Sequence, residues 1–112
     1  MEPQRDLGSA TKPRIRRLLD LPDYQNGSIV STTMIDRKNG SVTFFAFDKG
    51  QRLSEHKAPY AALIHVLEGE SEIMVSGKTF SVKQGEFITI PAKQPHSLTA
   101  VKRFKMLLTM IR

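Results

Sequence analysis

The spacing of apolar positions changes once along this chain, near residue 28. Before that point Ile15, Leu18 and Leu19 fall at helix spacing behind Pro13, a residue suited to a first helical turn. A short helix is expected around 14–20, ended by Leu21-Pro22-Asp23. Residues 1–12 mix Pro3, Gly8, Ser9 and charges without periodicity and are expected to form a flexible tail. After residue 28 the runs become short and rich in β-branched and aromatic residues, predicting strands over 29–35, 42–47, 63–67, 70–75, 79–83, 87–90, 97–101 and 104–111. Asp36 to Gly40 ends in an Asn-Gly turn signal and Ser76-Gly77-Lys78 is a tight hairpin connection. Gly50, Gly69, Gly85 and the loop 91–95 separate the other strands. Seven to nine short strands with barely a helix predict an all-β sandwich or closed barrel, one domain over 13–112.

The apolar load lies on both faces of several strands. Phe44 and Phe45 are adjacent, so one of them must point away from the core. Phe47, Ile64, Val66, Ile73, Met74, Phe87, Ile88, Met106, Leu108 and Met110 are expected to divide between the barrel interior and a second buried surface. Two-sided apolar strands exceed what one barrel needs, and 107–111 is an expected contributor to contact with a second copy.

Composition narrows the chemistry. The 112 residues suffice for one core, and their 39% hydrophobic and 25% charged content is that of a globular chain. With no cysteine, thiolate metal sites and cysteine nucleophiles are ruled out, leaving His56, His65 and His96 as the imidazoles. The net charge of +6 is uneven: the first 17 residues hold five basic and two acidic side chains, and a second cluster is Lys102, Arg103 and Lys105. Without a nucleic-acid-binding motif around them, these cations read as solvated surface. There is no signal-peptide core and no run of about 20 apolar residues to cross a bilayer, so a cytoplasmic protein is expected.

The glycines and histidines add a more specific pattern. Gly50, His56 and Gly69 fall at intervals that resemble the first motif of the cupin family, G-x5-H-x-H-x3-E-x6-G. Gly85, Pro91 and His96 resemble the second, G-x5-P-x-G-x2-H-x3-N. The resemblance covers residues 28–112 and implies a small single-domain cupin of the conserved-barrel type. That means a jelly-roll barrel of two antiparallel sheets, open at one end and often homodimeric. It also implies a metal site of three histidines and a carboxylate or amide, but here Ala58 and Ala62 stand at two of the four ligand positions. Lys93 and Ala100 replace the later glycine and asparagine.

His56 and His96 are therefore the expected cavity residues, as ligand anchors or as metal ligands. His65 would join them only if a β-bulge after Ala62 turned it inward, since strict alternation puts it on the opposite face. Tyr60 is a candidate hydrogen-bond donor at the cavity rim. The reading favoured by these residues is a protein that binds a small polar or anionic ligand, with a divalent Fe, Ni, Zn or Mn ion as an optional cofactor. The competing reading is a metal-dependent dioxygenase or isomerase using His56 and His96.

Overall fold

The computed structural model describes Leu7 and residues 12–112. The expected tail at 1–12 thus lies, but for Leu7 and Lys12, outside the described residues. The expected helix shortens to a single 3-10 turn at Leu18–Asp20. Ile15 is 99% exposed and Leu19 85%, so no apolar helix face is buried, and a helix this short does not persist without such packing.

Nine strands follow: β1 (Ile29–Arg37), β2 (Gly40–Phe47), β3 (Arg52–His56), β4 (Ala61–Glu68), β5 (Glu70–Val75), β6 (Lys78–Lys83), β7 (Phe87–Ile90), β8 (His96–Ala100) and β9 (Phe104–Ile111). Only β3 was not foreseen, because Arg52 to His56 has a single apolar residue, Leu53. All pairings are antiparallel, in a five-stranded sheet of order β1-β2-β9-β4-β7 and a four-stranded sheet of order β3-β8-β5-β6. Together they form the jelly-roll barrel. Among the described residues no helix is long and apolar enough to cross a membrane.

The inner faces meet in one core that includes Phe47, Ile64, Val66, Ile73, Leu98, Phe104 and Met106. Phe47 and Phe104 stack with ring centroids 4.5 Å apart. Of the adjacent phenylalanines, Phe45 packs against this core, whereas Phe44 points outward and is nevertheless buried. Leu18 and Leu19 share a cavity of about 270 Å³ with Phe44 and Leu67, so the N-terminal segment lies over this part of the outer face. Met74 and Phe87 remain exposed on outer faces.

The connections follow from local chemistry. Ser76 and Gly77 both have positive φ, 49° and 81°, the pair required by the tight turn whose twist matches its strands. The first hairpin closes one residue earlier than Asn39-Gly40 predicts, since Arg37 pairs with Gly40 and leaves Lys38 and Asn39 as the turn. Gly40 is needed instead for space, because a Cβ there would stand 2.9 Å from the Met110 carbonyl oxygen. Gly69 is the corner at which the chain leaves one sheet for the other. Its φ is 79° and a Cβ would lie 1.9 Å from the Arg103 carbonyl oxygen, so no other residue fits.

A clasp holds the segment before β1. The Tyr24 hydroxyl donates to Glu68 Oε2, and Lys105 Nζ and the Arg103 guanidinium lie over the Tyr24 ring at 4.9 and 5.2 Å. Arg103 also donates to Asp48 at 2.8 Å and to Asn26 at 2.9 Å, while Lys105 pairs with Asp23 at 3.1 Å. Two cations of the C-terminal basic cluster are therefore engaged within the chain.

Candidate ligand-binding site

One end of the barrel gathers the start of β2, β4 and β8, the end of β3, β7 and β9, and the loops 57–60 and 91–95. The loops are joined there, the Lys93 N–H donating to the Ala58 carbonyl at 2.7 Å. Lys93 occupies the position where the family motif has glycine, and it adopts φ 69°. The left-handed bend is thus kept by a residue that favours it less.

His96 begins β8 with the inward parity of Leu98 and Ala100 and is 7% exposed. Its cross-strand partner is His56, and the ring centroids lie 4.3 Å apart. The pairing requires a bulge. On β8 two steps separate Leu98 from His96, but on β3 three steps separate their partners Leu53 and His56. The extra residue turns His56 to the face that carries Leu53. His56 itself is exposed at the mouth.

Each ring is oriented by its own backbone. His56 Nδ1 stands 3.0 Å from the Ser54 carbonyl and His96 Nδ1 stands 3.0 Å from the Gln94 carbonyl. A carbonyl only accepts, so Nδ1 carries a proton and donates, which in a neutral imidazole leaves Nε2 as the lone pair, without a partner among the described residues. This is the tautomer that accepts a hydrogen bond from a ligand or binds a metal.

His65 does not join the pair. The register Ala62, Leu63, Ile64, His65 against β7 runs without a shift, and the β4 bulge falls later, between Val66 and Glu68. His65 therefore alternates away from buried Ala62, Ile64 and Val66 and stands on the outer face between Phe87 and Leu107. The β-bulge after Ala62, on which a third-ligand role for His65 depended, is not present in this register. Tyr60 lies in the loop before β4 at the same end as the histidines, with the Arg112 guanidinium 5.8 Å from its ring centre. Arg112 is in turn paired with Asp36 at 2.8 Å.

The donor set bears on the metal. With metal–nitrogen bonds of about 2.0–2.1 Å, rings at this spacing suit an N–metal–N angle of roughly 90°. Yet among the described residues no group of three His, Cys, Asp or Glu could hold an ion. Two imidazoles leave most of a coordination sphere without protein ligands, and a protein-held metal normally has three or four. The residues present do not fit a resident ion held by the protein alone.

One further residue, which sequence reasoning passed over, faces this end of the barrel. Ser41 lies on the inner side of β2, in alternation with Thr43, Phe45 and Phe47, and is 6% exposed. That alternation was the available signal, but a serine beside a hairpin turn reads as turn chemistry.

Comparisons with known proteins agree with this architecture. A family model described as Cupin domain matches residues 43–111. The chain is similar, with 26% identity over 91 residues, to a Streptomyces cyaneus protein named polyketide synthase CurC; the match covers 76% of this chain and 59% of that one. The chain thus spans about three fifths of the length of the curated relative it matches. A solved structure of a conserved protein of unknown function, SPY1581 from Streptococcus pyogenes, is similar at a TM-score of 0.84 and 29% identity, over 99% of this chain and 97% of the other. A cupin 2 conserved barrel domain protein from Leptotrichia buccalis is similar at a TM-score of 0.82 and 43% identity, over 85% of this chain and 46% of the other.

Proposed function

The chain belongs to the cupin family, and from that premise we propose that it binds a small polar or anionic molecule at the open end of its barrel, with His56 and His96 as anchors. The observation that carries this reading is the cross-strand histidine pair, both rings held by backbone carbonyls with Nε2 open. An open acceptor on the largely buried His96 ring is costly to leave without a partner, and a bound ligand supplies one. Around the pair, Val75, Ala62, Ile90 and Met110 supply apolar contact, the usual division of labour in small-molecule sites. Tyr60 adds a hydroxyl at the same end of the barrel. The curated relative's name, a polyketide synthase, is in keeping with an oxygenated carbon compound as occupant.

The competing reading is a metal-dependent dioxygenase or isomerase at the same two residues. The Nδ1–carbonyl bonds favour it, because metal-ligating histidines are oriented in this way. The missing ligands disfavour it.

One preparation separates the two. Protein purified without an affinity tag or chelator is assayed for metal and screened by thermal shift against small carboxylates and alcohols, alongside His56→Ala and His96→Ala. Binding is expected to raise the melting temperature of the wild type and to lose that effect in His96→Ala. Near-stoichiometric Fe, Ni, Zn or Mn that disappears in the double variant would establish the metal reading instead.

A further inference from the structure

Ser41 is a buried polar residue on the inner side of this end of the barrel, outside the family motifs. Its side chain shares the inner face of β2 with Phe45 and Phe47, and its cross-strand neighbour Met110 packs against the core. The row Asp36, Ser41, Met110, Ala62, Ile90 crosses the five-stranded sheet at the level of the mouth, with Asp36 on the edge strand paired to Arg112. The row His56, His96, Val75, Lys78 crosses the four-stranded sheet at the same end. Ala62, Ile90 and Val75 belong to one packed cluster, so the two rows face each other across the interior.

At 6% exposure the Ser41 hydroxyl has no side-chain hydrogen-bond partner among the described residues. Buried hydroxyls are nearly always paired, because an unpaired one destabilises the fold. Ser71 on β5 shows the ordinary solution, its hydroxyl donating to the Thr99 carbonyl. A small apolar residue would suit the Ser41 position better if packing were its whole purpose.

We infer that Ser41 contacts the ligand, and that the ligand is a small molecule with an apolar body and a phenol- or enol-type hydroxyl. This rests on the binding role proposed for His56 and His96. The chemistry follows from what the walls offer. His96 Nε2 accepts and cannot donate, while the serine hydroxyl can donate. One hydroxyl on the ligand satisfies both, donating to His96 and accepting from Ser41. A carboxylate brings only acceptors and a negative charge. The nearest cations stand apart from the histidine pair: Lys78 ends the second row exposed on edge strand β6, two strands from His96, and Arg112 at the rim is engaged by Asp36. An unpaired anion in such a layer is unfavourable. The phenol or enol hydroxyl is a stronger donor to imidazole than an alkyl alcohol, and its flat apolar body suits walls of Met110, Ile90 and Val75.

The test titrates the full chain with phenol, with anisole and with benzoate, following the imidazole resonances of His56 and His96 in wild type, Ser41→Ala and His96→Ala. Phenol is expected to shift the His96 signals and to bind Ser41→Ala about five- to tenfold more weakly, the effect of one hydrogen bond. Anisole, which has no proton to donate to His96, should bind wild type more weakly than phenol does. Without ligand, Ser41→Ala should melt at the same temperature as wild type or higher, since it removes an unpaired buried hydroxyl. Equal phenol affinity in wild type and Ser41→Ala, with loss in His96→Ala, overturns the role of Ser41 and leaves the histidine site standing. Tighter binding of benzoate than of phenol overturns the hydroxyl class while keeping the site. If neither compound moves the imidazole signals, the site reading itself falls, and the inference with it.

Discussion

Lys93 carries a backbone conformation that its side chain disfavours. At φ 69° its Cβ crowds the following carbonyl, yet its N–H is needed by Ala58 to join the two loops at the mouth. Restoring glycine removes the crowding and adds chain entropy to the unfolded state, two effects of opposite sign. Lys93→Gly is expected to stabilise the fold by about 0.5–1 kcal/mol net, measured by urea denaturation. A destabilised variant would mean that the lysine stem contributes packing beyond the bend. His65 shows the converse at the same scale. Its identity as an imidazole was plain in the sequence, but one residue of register decides which side of a strand it occupies, and the shift in β4 comes after it.

At the scale of elements, a bulge and a clasp do what hydrophobic spacing does not reveal. The β3 bulge puts His56 opposite His96, and the signal for it is weak because β3 is polar and short. The clasp ties residues 23–28 to the ends of β2, β4 and β9 through Tyr24, Asp48 and Arg103. Asp48 accepts from the Gly27 N–H at 2.7 Å, from Arg103 at 2.8 Å and from the Lys49 N–H at 2.9 Å. The Gly27 bond first, then Arg103, holds its carboxyl below the ordinary 3.8. A carboxylate with a depressed folded pKa stabilises the fold above its unfolded pKa, and that contribution is lost as pH falls through the folded value. Asp48→Asn should therefore melt below wild type at neutral pH, and the gap should narrow as the pH is taken below 3.8. A gap independent of pH in scanning calorimetry would show that ionisation of Asp48 contributes nothing.

At the scale of the whole molecule, the five-stranded sheet carries an apolar outer surface. Beyond Phe44, which the N-terminal segment covers, the residues Leu107, His65 and Phe87 and the row Val42, Thr109, Leu63, Thr89 carry no formal charge apart from the imidazole. Beside them Ala61, Pro91 and Ile111 help line a groove of about 360 Å³, and Phe87 and Ile111 are 64% and 62% exposed. For a chain of net charge +6, a patch whose neighbouring cation, Lys105, is already paired with Asp23 is where a second copy meets little repulsion, and an apolar patch can be self-complementary under two-fold symmetry. We propose a homodimer through this face. Light scattering should give twice the 12.6 kDa chain mass, and Phe87→Glu with Ile111→Glu should return it to the monomer with the fold intact by circular dichroism. A wild type that is monomeric throughout the micromolar range rejects the dimer.

The sequence by itself determined eight of the nine strands, the existence of the two hairpins and the glycine at the corner. These depend on alternation with period two and on positive φ, which are properties of neighbouring residues. It also determined that His56 and His96 are the imidazoles at the motif positions and that Ala58 and Ala62 supply no ligand. Tertiary structure alone decided which way the side chains face. The bulge that turns His56 inward, the unbroken register that turns His65 outward and the burial of Phe44 beneath the N-terminal segment each depend on pairing between distant segments. The seclusion of Ser41 has the same origin: its cross-strand neighbours Asp36 and Met110 come from β1 and β9, and only their assembly buries a hydroxyl that has no side-chain partner among the described residues.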